Sequence, residues 1–197
     1  PGVRQPMPML SVIIPTEGKE PPVVATLAAL VPGVTAGLIQ DVVLVDRGDT
    51  DTIARVADIA GCDYLVCKGS RAEALAAGAK EARAPWLMFL HPGTVPDLSW
   101  IDETAQFIDR MARAPTPRAA ILRYARSPYA DQGLKAKTAH ALRLLSGPLP
   151  DQGLVIARRH FEALGGYPAG QRDAERTLLR KLGRARLMLR SRIMVPE

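Results

Sequence analysis

At 197 residues, with 47% hydrophobic and 23% charged side chains, the chain has the makeup of a globular domain with a full core, which excludes a disordered or fibrous polymer. A net charge of +6 favours anionic partners, while an aromatic content of 5% and the lack of any base-reading motif argue against a specific nucleic-acid module. No apolar run reaches the roughly 18 residues of a membrane span and no signal-peptide core opens the chain, so the expectation is a soluble, cytoplasmic protein.

The run Met9–Ile14 is rich in β-branched residues and closes on Pro15, the pattern of a buried parallel strand. Residues 16–22 read as a polar loop, and Val23–Leu30 as a helix ended by Pro32-Gly33. Asp41–Asp46 predicts a second buried strand. Residues 50–60 predict a helix capped by Asp49 or Thr50 and stopped by Gly61. A strand over Tyr64–Val66, an Ala-rich helix over Ser70–Ala82 and a strand over Trp86–Leu90 follow. Beyond them the sequence predicts a helix over Asp97–Ala112, a strand over Ala119–Tyr124 and a basic amphipathic helix over Leu134–Leu145. A short strand over Leu154–Ala157 precedes two helices, Arg159–Leu164 halted by Gly165-Gly166 and Arg172–Leu182 halted by Gly183.

This alternation demands an α/β domain with a mostly parallel sheet and helices on both faces, in a single unit over 1–197. Ligands on such sheets bind beyond the carboxyl ends of the strands, here Pro15-Thr16, Asp46-Arg47-Gly48, Lys68-Gly69 and His91-Pro92. From Arg172 to Arg192 eight basic residues face only Asp173 and Glu175. That stretch is either a surface that attracts phosphate, on a nucleotide, an anionic membrane or nucleic acid, or the solvated face of an Arg-rich helix. Cys62 and Cys67, five positions apart across a strand, fall on opposite faces, which favours two separate core thiols over a disulfide or shared metal.

Four segments carry a family resemblance. Leu10-Ser-Val-Ile-Ile-Pro-Thr16 resembles the opening strand of family-two glycosyltransferases, and Val42-Val-Leu-Val-Asp-Arg-Gly-Asp-Thr-Asp51 their second signature. Ser70–Ala79 is similar to the family's R-A-R-Q-M-N-A-G-A helix. Pro150–Pro168 resembles a late block, GDQGLFVRRxLFEALGGFP, of a small subgroup encoded near radical-SAM or selenium-related proteins. The matches run in order from Leu10 to about Met194. The resemblance implies a GT-A fold, a Rossmann-like mixed sheet. It also implies a nucleotide-binding half over about 9–96 and an acceptor-side half over about 97–197.

The same resemblance assigns roles. Pro15, Thr16, Asp46, Arg71 and His91 fall on nucleotide-binding positions. Asp46 is either a nucleotide contact or a turn cap. Arg71 is either an anion ligand at a helix start or a surface residue. Asp151 and Gln152 match the acceptor-side GDQG block. Asp173 and Glu175 lie where the family has its catalytic Glu-Asp pair, with Arg172 at the Glu position and Asp173 at the Asp position. Asp173 is either the general base or a helix-terminal acid. The family's Asn-Glu after the first strand is absent; Gly18-Lys19 sits near that point, with Glu17 and Glu20 as substitutes.

The turn after the fourth strand departs most. The subgroup reads F-L-H-A-D-T where this chain has Phe89-Leu-His-Pro-Gly-Thr94, so Gly93 replaces the metal-binding acid. Manganese or magnesium, the ions the family implies, would be left with His91 as a weak ligand and Asp97 as the next carboxylate. The expected function is transfer of a sugar from a nucleotide-sugar donor to an acceptor the sequence does not identify, with inversion. The alternative is a catalytically degenerate relative that binds nucleotide or a partner.

Overall fold

A computed structural model describes residues 9–125, 149–171 and 173–195. The helix expected at Leu134–Leu145 and the residue Arg172 lie outside these. The chain forms β1 (Leu10–Thr16), α1 (Glu20–Thr35), β2 (Ile39–Asp46), α2 (Thr52–Ala60), β3 (Asp63–Val66) and α3 (Arg71–Glu81). It continues through β4 (Trp86–Phe89), β5 (Val95–Pro96), α4 (Trp100–Ala112) and β6 (Ala119–Ala125). After a 3-10 turn at Pro150–Gln152 come β7 (Leu154–Ala157), α5 (Arg158–Ala163), α6 (Ala174–Leu182) and β8 (Arg186–Met194).

The strands form one mixed sheet in the order β3-β2-β1-β4-β7-β6-β8-β5. The first four pair in parallel, as the βαβ series requires; β7 joins β4 antiparallel and β6 runs parallel to β8. The strict alternation of β1 divides the core. Leu10, Val12 and Ile14 pack with α1, α2 and α4 on one face, and Ile13 packs with α3, α5 and α6 on the other. Val42 and Leu44 against Val43 and Val45 repeat the division in β2. Cys62 joins the first cluster and Cys67 the second, and both are free thiols. The opposite-face expectation for the pair therefore holds.

Close approach fixes α3 on the sheet. A Cβ at Gly78 would stand 2.5 Å from Ile13 Cγ2 and 2.9 Å from Val45 Cγ2, so only glycine lets the helix lie this near β1 and β2. Ser70 caps the helix: its hydroxyl accepts from Glu73 N–H, and the Glu73 carboxylate accepts from Ser70 N–H at 2.6 Å.

Three expectations need correction. Helix α1 begins at Glu20 rather than Val23 and runs past Pro32 to Thr35. Pro21 and Pro22 stand in its first turn, where no backbone donor is needed. Second, the helix expected from Asp97 starts at Trp100. Asp97 instead accepts from Ser99 N–H and hydroxyl through Oδ1 and from Arg192 N–H through Oδ2. Third, the basic stretch after α6 is not helical: Arg186–Met194 is β8, whose Leu189, Ser191 and Ile193 point inward while Arg190 and Arg192 are exposed.

Candidate active site

The parallel strands end where the topology predicts a site. At the end of β2, Asp46 is completely buried. Its Oδ1 accepts from the Thr16 hydroxyl at 2.7 Å, Gly18 N–H at 3.0 Å and Gly48 N–H at 3.1 Å. One carboxylate oxygen thus ties the loops after β1 and β2 together. A Cβ at Gly48 would come within 2.7 Å of the Gly18 backbone, so the two loops touch. Asp46 Oδ2 has no hydrogen-bond partner among the described residues, although it is buried. Burial, followed by the Asp46 charge, raises the Tyr64 phenol above its ordinary range.

Arg47 donates to Gly69 O at 3.0 Å and pairs with Glu17 at 2.9 Å. Arg71, in the first turn of α3, reaches the same Glu17 carboxylate at 3.6 Å and the His91 ring at 3.0 Å. Arginine only donates, so His91 Nδ1 accepts. The proton of the ring then sits on Nε2, which meets Glu175 Oε1 at 2.7 Å. An unbroken chain Glu17–Arg71–His91–Glu175 therefore joins the end of β1, the start of α3, the turn after β4 and the start of α6. The Glu175 charge adds to burial in pushing the enclosed Tyr167 phenol well above its ordinary range.

The turn carrying His91 is held from α1. The Thr26 hydroxyl donates to Thr94 O at 2.9 Å and accepts from Gly93 N–H at 2.9 Å, and Gly93 N–H also reaches Pro22 O. Gly93 stands at φ +89.

Two adjoining cavities open on either side of His91 and Asp151. One, of about 270 Å³, is lined by Pro15, Glu17, Lys19, Arg71, His91 and Asp151. The other, of about 280 Å³, is lined by His91, Leu149, Asp151, Asp173, Glu175 and Arg176. The structure thus brings Pro15, Arg71, His91, Asp151, Asp173 and Glu175 around one cleft. Thr16 and Asp46 lie beneath it as supports. Gln152 is placed differently: it is buried, donates to Leu122 O at 3.1 Å and accepts from Leu149 N–H at 2.7 Å, so its amide braces the turn before β7. Lys19 and Arg176 were not singled out as ligands in the sequence. Their signal was there, a lysine just past β1 and an arginine one residue from Glu175, but nothing in the pattern aimed them at the cleft.

The described residues do not fit a divalent ion. Both His91 nitrogens are engaged, Asp97 is spent on Ser99 and Arg192, and no group of three carboxylate, His or Cys side chains converges.

No family model and no curated protein matches the sequence. Solved structures do. TarS 1-349 of S. aureus in complex with UDP-GlcNAc shares 14% identity over 96% of this chain and 59% of its own, with a TM-score of 0.69. The same protein in complex with UDP gives 0.67, with 60% of its length covered. Glucosyl-3-phosphoglycerate synthase from Mycobacterium tuberculosis, in complex with Mn2+, UDP and phosphoglyceric acid, shares 16% identity over 93% of this chain and 68% of its own, at 0.63. The chain thus spans less than two thirds of the TarS fragment. At such identities the likeness speaks for architecture alone, and that architecture is the GT-A fold of these glycosyltransferases.

Proposed function

We propose that the chain binds a nucleoside diphosphate sugar and transfers the sugar, with inversion, to an acceptor entering from the side of α6. The observation that carries this reading is the cleft at the carboxyl ends of β1 and β4, which gathers Lys19, Arg71 and His91 in a fold whose solved relatives hold UDP. On this reading the half over about 9–96 holds the nucleotide and the half over about 97–197 serves the acceptor. The late Pro150–Pro168 block, which resembles that of the radical-SAM-associated subgroup, supports this reading.

Each side chain then has a task. Asp46 Oδ2, unpartnered beneath the cleft, accepts from the base or ribose, while Oδ1 holds the loops. Arg71 and Lys19 meet the diphosphate charge that a divalent ion meets elsewhere. Glu175, spent on His91, positions Arg71 through the ring. Asp173, exposed at the start of α6 and bordering the acceptor-side cavity, is the base. In the transfer, the acceptor oxygen bonds to the anomeric carbon as the bond from that carbon to the diphosphate oxygen breaks. The electron pair leaves with the diphosphate, and the acceptor proton passes to Asp173.

A second reading, a silent module that keeps nucleotide affinity, draws support from the turn 91–94, which offers no carboxylate. Calorimetric titration with UDP and GDP, with and without manganese, tests the first reading. We expect a nucleoside diphosphate to bind without the metal; absence of binding by both sinks it. Donor turnover in the same preparation separates enzyme from module.

A further inference from the structure

Next to the cleft lies a second polar cavity, which shares Asp173 with it. It measures about 480 Å³ and is lined by Leu149, Asp173, Arg176, Leu179, Arg180 and Arg186, with Gly183 at its edge. Leu149, Asp173 and Arg176 also line the cavity beside His91 and Glu175, so the two spaces adjoin.

Its charge is unbalanced. Three guanidinium groups face one carboxylate, Asp173, and among the described residues none of the three lies within ion-pair distance of an acid. The other acid of this stretch, Glu175, is committed to His91. Two of the arginines are steadied by neutral oxygens that leave their charge unspent. Arg180 Nη2 donates to the Thr177 hydroxyl at 3.0 Å, and Arg186 Nη1 to Leu179 O at 2.7 Å. Arg176 and Arg180 are exposed on α6. Three cations less one carboxylate leave a local charge of +2, which a phosphate monoester, carrying about −1.5 to −2 at neutral pH, balances. The planar guanidinium fork matches phosphate oxygens in pairs.

We propose that this arginine-lined cavity binds a phosphate monoester, and that this group belongs to the sugar acceptor. The acceptor assignment rests on the transferase reading; the phosphate site does not. Anchored at Arg176 and Arg180, a phosphorylated acceptor presents its hydroxyl to Asp173 at the border of the two cavities. The monoester comes from either a soluble metabolite or a lipid headgroup.

The test titrates the wild-type chain and the double variant Arg176→Gln/Arg180→Gln with inorganic phosphate in the presence and absence of UDP. It also sediments both with pure phosphatidylcholine vesicles and with vesicles doped with phosphatidic acid. Both arginines are exposed, so the variant folds, which its melting curve checks. We expect wild type to take up phosphate with UDP present, and the variant to lose about tenfold or more in affinity, the scale of one charge-assisted hydrogen bond. Uptake of phosphatidic acid vesicles alone, lost in the variant, assigns the same chemistry to a lipid headgroup. No uptake of either probe, or equal uptake by the variant, overturns the proposal. If UDP fails to bind while phosphate uptake still depends on the arginines, the transferase reading falls and the phosphate site stands.

Discussion

His91 and Glu175, 84 positions apart in the chain, meet at 2.7 Å between Nε2 and Oε1. The contact crosses the cleft from the turn after β4 to the first turn of α6, and Arg71 on the opposite ring nitrogen fixes the direction of every proton in it. We expect ¹⁵N spectra of labelled protein to show Nε2 protonated and Nδ1 as acceptor. In Glu175→Gln the ring loses its charged acceptor, and nucleotide affinity falls because Arg71 is no longer steadied. Unchanged UDP affinity in that variant would separate His91 from donor binding.

On the proposed transferase reading, Asp173→Asn removes the base without touching the nucleotide pocket. Sugar transfer is expected to fall by at least about a hundredfold, the usual worth of a positioned base, with UDP affinity unchanged. Loss of affinity and turnover together would mean that Asp173 holds the donor instead.

Asp46→Ala would leave the Thr16 hydroxyl and the Gly18 and Gly48 amides without their acceptor. A loss on the order of 3 kcal/mol in urea unfolding is expected, together with loss of nucleotide binding. Asp46→Asn keeps an oxygen for the three donors. It is expected to restore most of the stability while still weakening the nucleotide, which separates support from recognition.

Glu103 on α4 secures β8. Burial alone would raise its carboxyl, but Ser191 N–H and hydroxyl and Arg190 N–H together hold it below its ordinary value of 4.5. Because the folded-state value is depressed, the contribution is fully present above the unfolded value and fades as pH falls through the folded one. Glu103→Gln is therefore expected to destabilise the chain at pH 7 by about 1–3 kcal/mol, with the gap to wild type closing under acid conditions. Thermal melts of both proteins at neutral and acidic pH would show it; a constant gap would contradict the assignment.

The half of the fold built from βαβ units was legible because its strands are short apolar runs, β1, β2 and β4 ending near Pro15, Asp46 and His91, and α2 stops at Gly61, whereas the stop expected at Pro32-Gly33 did not end α1. The end of β8 was hidden by its own composition. Leu187, Leu189, Ser191 and Ile193 alternate as a strand should, but arginines at 186, 190 and 192 made the stretch look like a solvated helix face. In the site, strand ends could be read along the chain, which is why Pro15 and His91 were placed at the cleft, while Arg71 came from the family resemblance. The His91–Glu175 contact and the role of Gln152 depend on how α6 and the turn before β7 fold back, and no local pattern encodes that.

The fastening of the turn at Gly93 by Thr26 makes it self-sufficient. In this chain a hydroxyl from α1 holds both Gly93 and Thr94 in place. Gly93→Asp would therefore supply a carboxylate without recreating an ion site. The new side chain would sit on a left-handed backbone at φ +89, at a cost of about 1–2 kcal/mol, beside an imidazole already claimed on both nitrogens.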